Sequence, residues 1–134
     1  MKKNFGLVGM LIVLILLAAC APAQEAAVLT VAGQEFSQSD LEALGTMSVN
    51  YTDKDGETTT YEGVLLLDVL NNIDASGETV IFTAADGYEA EMPMADAMAC
   101  SDCIVAFDDG SLRMVMPEQS GKLQVKDVVE ISIN

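Results

Sequence analysis

Cys100 and Cys103 are the residues of this sequence with the clearest chemical potential. Two cysteines separated by two residues can ligate a metal, perform thiol redox chemistry or form a local disulfide. The chain has three cysteines and no histidine. A four-ligand zinc site is therefore disfavoured, because neither an imidazole nor a second cysteine pair is present. A haem-attachment motif is disfavoured as well, since Ile104 stands where that motif requires histidine.

The start of the chain indicates where these cysteines reside. A basic head, Lys2-Lys3, precedes an apolar run over residues 7–19 that ends in Leu-Ala-Ala before Cys20. The run is shorter than the roughly 20 residues of a membrane-spanning helix, so it predicts a signal peptide. Small residues directly before Cys20 resemble the lipobox of bacterial lipoproteins. That resemblance implies that Cys20 carries a lipid, which anchors the protein in the cell envelope on the extracytoplasmic side of a membrane. The alternative is a plain signal peptide that is cleaved without lipidation.

The remaining chain is long enough for one domain. We assign residues 1–19 to the signal peptide, residues 20–27 to the lipidated cysteine and a flexible tether, and residues 28–134 to a single module. Without Lys2 and Lys3, four basic residues oppose 21 acidic ones, a formal charge of −17. No nucleic-acid partner is expected, since nucleic acid and anionic membrane surfaces are poor partners for such a negative field. The membrane is then a partner only through the lipid, and any protein or small-molecule partner is unidentified.

Export favours a disulfide between Cys100 and Cys103, because exported thiols are usually oxidised. Thioredoxin-like activity is the alternative, and it depends on a helix N-terminus that lowers the pKa of a thiol. Cys100 is predicted instead at the end of a helical turn over residues 94–99, where the helix dipole is negative. Asp102 adds another negative charge. The pair is therefore predicted to fix the corner between a helix and a strand.

Hydrophobic patterning predicts an α+β domain with more strand than helix. Alternation places Met47, Val49 and Tyr51 on one face of a strand over residues 46–52. Ser39 and Glu42 have the spacing of a capping box at the start of a short helix. Further strands are predicted at residues 28–32, 57–61, 79–84, 88–92, 104–107, 112–116 and 128–133, and further helices at residues 64–70 and 93–99.

Four segments in order resemble the sulfite-oxidase-type molybdopterin-binding domain. They are Tyr-Glu-Gly-Val-Leu-Leu-Leu-Asp-Val-Leu (61–70), Asp-Gly-Tyr (86–88), Leu-Arg-Met-Val-Met-Pro (112–117) and Val-Lys-Asp-Val-Val-Glu-Ile (125–131). The sequence is most similar to small stand-alone versions of the domain. This resemblance implies a compact, mostly β fold with short helices among antiparallel hairpins.

The resemblance also implies where a cofactor would lie. Catalytic members bind molybdenum through a cysteine thiolate near the first core hairpin, but this sequence has Asn50 or Tyr51 at that position. Basic side chains of the family hold the pterin phosphate, and Arg113 and Lys126 match them, with Lys122 nearby. The alternative is that these cations pair with some of the 21 acidic side chains.

The missing thiolate favours a non-catalytic binding or accessory module over an enzyme. No metal ligand and no catalytic residue is assigned, no cofactor is expected, and molybdopterin follows only from the resemblance. One alternative is a molybdopterin-dependent oxidoreductase with altered metal ligation. Another is a thiol or copper redox protein, since Met92, Met94, Met114 and Met116 are paired at alternate positions; the family resemblance favours methionine as core filler.

Overall fold

The computed structural model of this protein describes residues 25–134, so Cys20 and the predicted signal peptide lie outside the described residues. Within that range the chain forms nine strands, three short α-helices and one 3₁₀ helix. The strands are β1 Ala27–Val31, β2 Gln34–Ser37, β3 Thr46–Thr52, β4 Thr58–Leu65, β5 Thr79–Ala84, β6 Glu89–Pro93, β7 Ile104–Asp108, β8 Ser111–Val115 and β9 Val128–Ile133. The helices are α1 Gln38–Glu42, α2 Leu66–Asn72, α3 Met94–Ala99 and η1 Gly121–Leu123. No helix of the described part is long and apolar enough to cross a membrane.

Two sheets share one hydrophobic core. The first has the strand order β2-β1-β9-β5-β6, with β1 and β9 parallel and the other neighbours antiparallel. The second is fully antiparallel, with the order β3-β4-β7-β8. Alternation along each strand sends Val64, Val105 and Met114 of the second sheet into the main core, next to Phe82 and Ile131 of the first. The predicted α+β, mostly β fold is confirmed.

A second, smaller apolar cluster lies on the other face of the second sheet. Val49, Ile104, Ala106 and Val115 are buried there, and Tyr61 packs against them. The face that alternation predicted for β3 is present, although Val49 is the only residue of that face that is buried. This face carries the candidate site described below.

The first helix begins earlier than the sequence predicted. Ser37, not Ser39, is the N-cap of α1, and its hydroxyl accepts a hydrogen bond from the Asp40 amide at 3.1 Å. Asp40 completes the capping box, because its carboxylate accepts from the Ser37 amide at 2.9 Å. The prediction was two residues late because Ser37-Gln-Ser-Asp and Ser39-Asp-Leu-Glu offer similar capping patterns, and β2, which was not predicted, ends at Ser37.

The capping box makes the stability of α1 dependent on pH. The hydrogen bond from the Ser37 amide, followed by that with the Ser37 side chain, lowers the pKa of Asp40 below its usual 3.8. The ionised carboxylate therefore stabilises α1 above that pH, and the stabilisation is lost as the pH falls through the lowered value. We expect carboxyl NMR titration to give an Asp40 pKa below 3.8, and Ser37→Ala to move it upward. An Asp40 pKa of 3.8 or above in the unaltered protein would contradict the capping box.

Candidate functional site

A cavity of about 460 Å³ lies beside the face of the second sheet that carries the small apolar cluster. We call it the cation cavity, because three of the four basic residues in the described part of the chain line it. Its lining residues are Tyr51, Asp53, Lys54, Asp55, Glu57, Thr59, Tyr61, Arg113, Gly121, Gln124 and Lys126.

The β3–β4 hairpin forms one wall of the cation cavity. Tyr51 pairs with Thr59 across the two strands, and Val49 pairs with Tyr61, so the two tyrosines project from the same face. The turn between the strands is fixed by Asp53, whose carboxylate accepts hydrogen bonds from the amides of Asp55 and Glu57 at 2.8 and 3.0 Å. This turn brings Lys54, a cation that sequence analysis did not select, to the cavity.

Arg113 reaches the hairpin from β8 by crossing β7. Its strand register places Ala106 of β7 and Gly63 of β4 beside it in one row across the sheet. Ala106 has only a methyl side chain and Gly63 has none, so the two residues leave room for the long arginine side chain. The guanidinium lies over the Tyr61 ring, with Cζ 4.7 Å from the ring centroid, and Nη1 donates to the Tyr61 hydroxyl at 3.0 Å.

The charge of Arg113 is only partly compensated. Arg113 is 9% exposed, and its Nε has no hydrogen-bond partner in the part of the chain that the structure describes. Its one ion pair there is with Asp108, at an Nη1–Oδ2 distance of 3.9 Å, and the Asp108 side chain is 43% exposed. A long pair with a partly exposed carboxylate contributes at most about 1 kcal/mol. Arg113 is therefore a buried cation that an incoming anion would stabilise.

A segment after β8 places Lys126 beside Arg113. The side-chain amide of Gln124 forms the two hydrogen bonds that a neighbouring strand backbone would form. Its Oε1 accepts from the Met116 amide at 2.7 Å, and its Nε2 donates to the Met116 carbonyl at 2.6 Å. The Met114 amide then donates to the Val125 carbonyl at 2.8 Å, and Lys126 forms an antiparallel bridge with Arg113. Two cations that are 13 positions apart in the sequence thus lie at the same cavity.

Not every predicted site residue is part of this arrangement. Arg113 and Lys126 line the cation cavity, but Lys122 does not; its carbonyl instead accepts a hydrogen bond from the Tyr88 hydroxyl at 2.9 Å. Within residues 25–134 only Arg113 makes an ion pair, so the alternative of extensive pairing with acids is not observed for Lys122 or Lys126.

The structure also distinguishes the two positions proposed for the missing metal ligand. Asn50 projects away from the cavity and accepts a hydrogen bond from the Thr60 hydroxyl at 2.6 Å. Tyr51 lines the cavity. No cysteine or methionine is among the lining residues of the described chain, and their oxygen and nitrogen donors do not replace a thiolate. The residues of this cavity therefore do not fit the thiolate-ligated molybdenum centre of the catalytic members, whereas the cations and tyrosines fit an organic anion.

The cysteine pair lies in a different place. Cys100 and Cys103 form a disulfide, with a Cα–Cα distance of 5.6 Å, at the corner between α3 and β7 that the sequence predicted. Cys100 is at the C-terminal end of α3, not at a helix N-terminus. The Cys103 carbonyl accepts from the Leu66 amide at 2.8 Å, which ties this corner to the start of α2.

The four paired methionines are core residues. Met92, Met94, Met114 and Met116 are all buried and belong to the main hydrophobic cluster. This agrees with their interpretation as core filler and gives no support to a copper site.

We expect the disulfide to be present in the purified protein and to stabilise it modestly. A loop of so few residues removes little entropy from the unfolded chain, so its reduction should cost about 2 kcal/mol or less. Alkylation under denaturing conditions without reductant should label neither Cys100 nor Cys103, and both after reduction. Full labelling without reductant would contradict the disulfide. Rapid catalysis of insulin reduction would contradict a purely structural role for the pair.

The fold is that of a molybdopterin domain of the sulfite-oxidase type. A protein-family model for the oxidoreductase molybdopterin binding domain matches residues 16–134, and the chain belongs to this family. Among solved structures, it is similar to the sulfane dehydrogenase SoxCD from Paracoccus pantotrophus, with 18% identity and a TM-score of 0.61 over 74% of this chain. At that identity the likeness shows the fold alone, and the match covers 34% of the SoxCD chain. No curated protein matches the sequence.

Proposed function

We propose that this protein is a lipid-anchored module of the cell envelope that binds a small organic anion in the cation cavity and performs no molybdenum chemistry. The observation that carries the proposal is the concentration of Lys54, Arg113 and Lys126 at one cavity of a strongly acidic chain. Among the described residues Lys54 and Lys126 make no ion pair, and the buried Nε of Arg113 has no hydrogen-bond partner.

The chemistry of the cavity defines the kind of anion. Arg113 offers a planar guanidinium fork, which suits phosphate or carboxylate groups, and Lys126 adds a point charge beside it. Tyr51 and Tyr61 supply aromatic surface that would contact a ring. Asp53, Asp55 and Glu57 at the hairpin end disfavour a highly charged ligand. A ring-bearing monoanion or dianion, such as a phosphorylated pterin, meets these conditions.

Membrane anchoring is the second part of the proposal. It rests on the lipobox-like residues before Cys20 and on the short segment that connects Cys20 to β1. A lipid on Cys20 would place the domain at the membrane surface, where the cavity could meet soluble ligands or a partner protein.

Anion binding is tested by titrating the purified protein with a phosphorylated pterin and, separately, with inorganic pyrophosphate. We expect Arg113→Ala and Lys126→Ala each to weaken binding of the pterin by about 10-fold or more, since a charge-assisted hydrogen bond contributes roughly 1.5–3 kcal/mol. Lys122→Ala removes the same charge outside the cavity and serves as the matched control. Equal effects of Lys122→Ala and Lys126→Ala would contradict a site at the cavity, and tighter binding of pyrophosphate would contradict the role of the tyrosines.

Metal analysis addresses the oxidoreductase alternative. The protein should be produced in a host that synthesises molybdopterin and then assayed for molybdenum and pterin. We expect well under one molybdenum per chain, because the cavity lacks a thiolate. A stoichiometric amount of molybdenum that is lost in Arg113→Ala would establish the alternative function, an oxidoreductase with altered metal ligation.

A further inference from the structure

The disulfide corner carries a second group of side chains that the proposed anion site does not use. A separate cavity of about 450 Å³ borders this corner and shares no lining residue with the cation cavity. We call it the disulfide cavity. Its lining residues are Asp96, Ala99, Cys100, Ser101, Asp102, Glu118 and Gln119.

Three donor atoms converge at the corner. One carboxylate oxygen of Asp102 and the sulfurs of Cys100 and Cys103 all lie within 4.8 Å of one another. Asp102 Oδ1 is 3.3 Å from the Cys100 sulfur. A sulfur in a disulfide carries no proton, so this carboxylate gains no hydrogen bond from it in the oxidised protein. The Asp102 carboxylate thus lies beside the Cys100 sulfur but can interact favourably with it only after the disulfide has been reduced.

The surroundings favour a cation. The disulfide cavity is lined by the carboxylates of Asp96, Asp102 and Glu118 and by no basic side chain of the described residues. With four basic residues against 21 acidic ones in the chain after Lys3, the field of the whole domain adds to this attraction. The same carboxylates would oppose two free thiolates, and a bound divalent cation would relieve that repulsion.

We propose that Cys100, Cys103 and Asp102 form a redox-gated binding site for a borderline-soft divalent cation of the zinc class. Two thiolates and one carboxylate are suitable ligands for such an ion, and a water molecule completes a tetrahedral shell. Zinc–sulfur bonds of about 2.3 Å separate the two sulfurs by roughly 3.8 Å, so both sulfurs can bind only when they are not bonded to each other. The oxidised protein therefore lacks the site, and the reduced protein has it.

The site opens by thiol–disulfide exchange, and the metal ion then binds to the two thiolates and the Asp102 carboxylate. A reducing dithiol transfers two electrons and two protons to the Cys100–Cys103 bond and becomes a disulfide itself. The two thiols formed then lose their protons to solvent as two metal–sulfur bonds and one bond to the Asp102 carboxylate form. Bound metal in turn protects the thiolates from reoxidation, so the cation stabilises the reduced state.

Cobalt(II) is a suitable probe, because thiolate ligation gives it a sulfur-to-metal charge-transfer absorption. The full chain carrying Cys20→Ser, in detergent, leaves Cys100 and Cys103 as its only thiols. It should be reduced with a phosphine, freed of reductant without oxygen, and titrated with cobalt(II) alone. We expect about one cobalt per chain with the charge-transfer band after reduction, and no band in the oxidised protein.

The role of Asp102 is tested in the same background. Asp102→Asn should weaken cobalt binding by the reduced protein at least about tenfold. Glu91→Gln makes the same charge change on the exposed side of β6 and should leave cobalt binding unchanged. Absence of the charge-transfer band on reduction, with circular dichroism showing a folded protein, would overturn the proposal. Equal affinities of the Asp102→Asn and Glu91→Gln proteins would also overturn it, and so would unfolding on reduction, because the site requires the folded corner.

Discussion

Gly63→Ala is expected to lower the free energy of unfolding by about 3 kcal/mol or more. A Cβ atom at this position would lie 2.5 Å from the Cα of Ala106 and 2.7 Å from the carbonyl carbon of Val105. Both atoms belong to the backbone of β7, so no change of side-chain rotamer can relieve the collision. Since β4 pairs with β7 at this point, the central pair of the second sheet would have to separate.

The effect of Gly63→Ala is measured by denaturant unfolding, and Gly121→Ala provides the matched control. Gly121 has open space around its Cα, so alanine should change stability there by about 0.5 kcal/mol at most. If Gly63→Ala behaved like Gly121→Ala, the close approach of β4 and β7 would be wrong. The alignment of Gly63, Ala106 and Arg113 across the sheet would then also be wrong, and so would the contact of Arg113 with Tyr61 that depends on it.

Cys20→Ala is expected to move the protein from the detergent phase to the aqueous phase once the apolar signal segment is removed. If Cys20 carries the lipid, it is the first residue of the mature chain, and the acyl chains contribute about 0.8 kcal/mol for each buried CH₂ group. Without them, a formal charge of −17 leaves the domain no affinity for an anionic bilayer. Intact mass shows whether residues 1–19 are removed and whether lipid is attached.

A variant carrying Cys100→Ala and Cys103→Ala controls for the loss of sulfur, because it keeps Cys20. We expect it to remain in the detergent phase with the mass of a lipidated chain. An unchanged detergent fraction for a Cys20→Ala protein cleaved after residue 19 would contradict the anchor, and the proposed envelope attachment would then fail without affecting the anion site.

These two expectations rest on different levels of information. The anchor is argued entirely from local sequence, because charge, apolar length and small residues before a cysteine are contiguous. The effect of Gly63→Ala is argued entirely from tertiary structure. In the sequence, Gly63 is only a glycine between a β-prone run and a helical pattern, and the backbone that it approaches lies more than 40 positions later.

The sequence by itself determined those elements whose signal is local. Strict alternation predicted the bounds of β3, turn residues on either side predicted those of β5, and β9 was found as an alternating strand at the chain end. The α+β class, the family and the disulfide corner after α3 were likewise predicted. The family was recognised from four segments in order over residues 61–131; in the other cases side-chain pattern, turn chemistry or cysteine spacing acts between residues close in the chain.

Only the tertiary structure decided the site. Sheet register turned Tyr51 toward the cation cavity and Asn50 away from it, because neighbouring strand residues project to opposite faces. The turn of Asp53 brought Lys54 to the cation cavity, and the two hydrogen bonds of the Gln124 side chain placed Lys126 beside Arg113 of β8, while Lys122 lies outside the cavity. The hydrogen bond from Arg113 to Tyr61 joins residues 52 positions apart, and its geometry follows from how the sheet strands pair. No local pattern encodes that pairing, so the sequence identified cations that could bind an anion, and the fold decided which of them line one cavity.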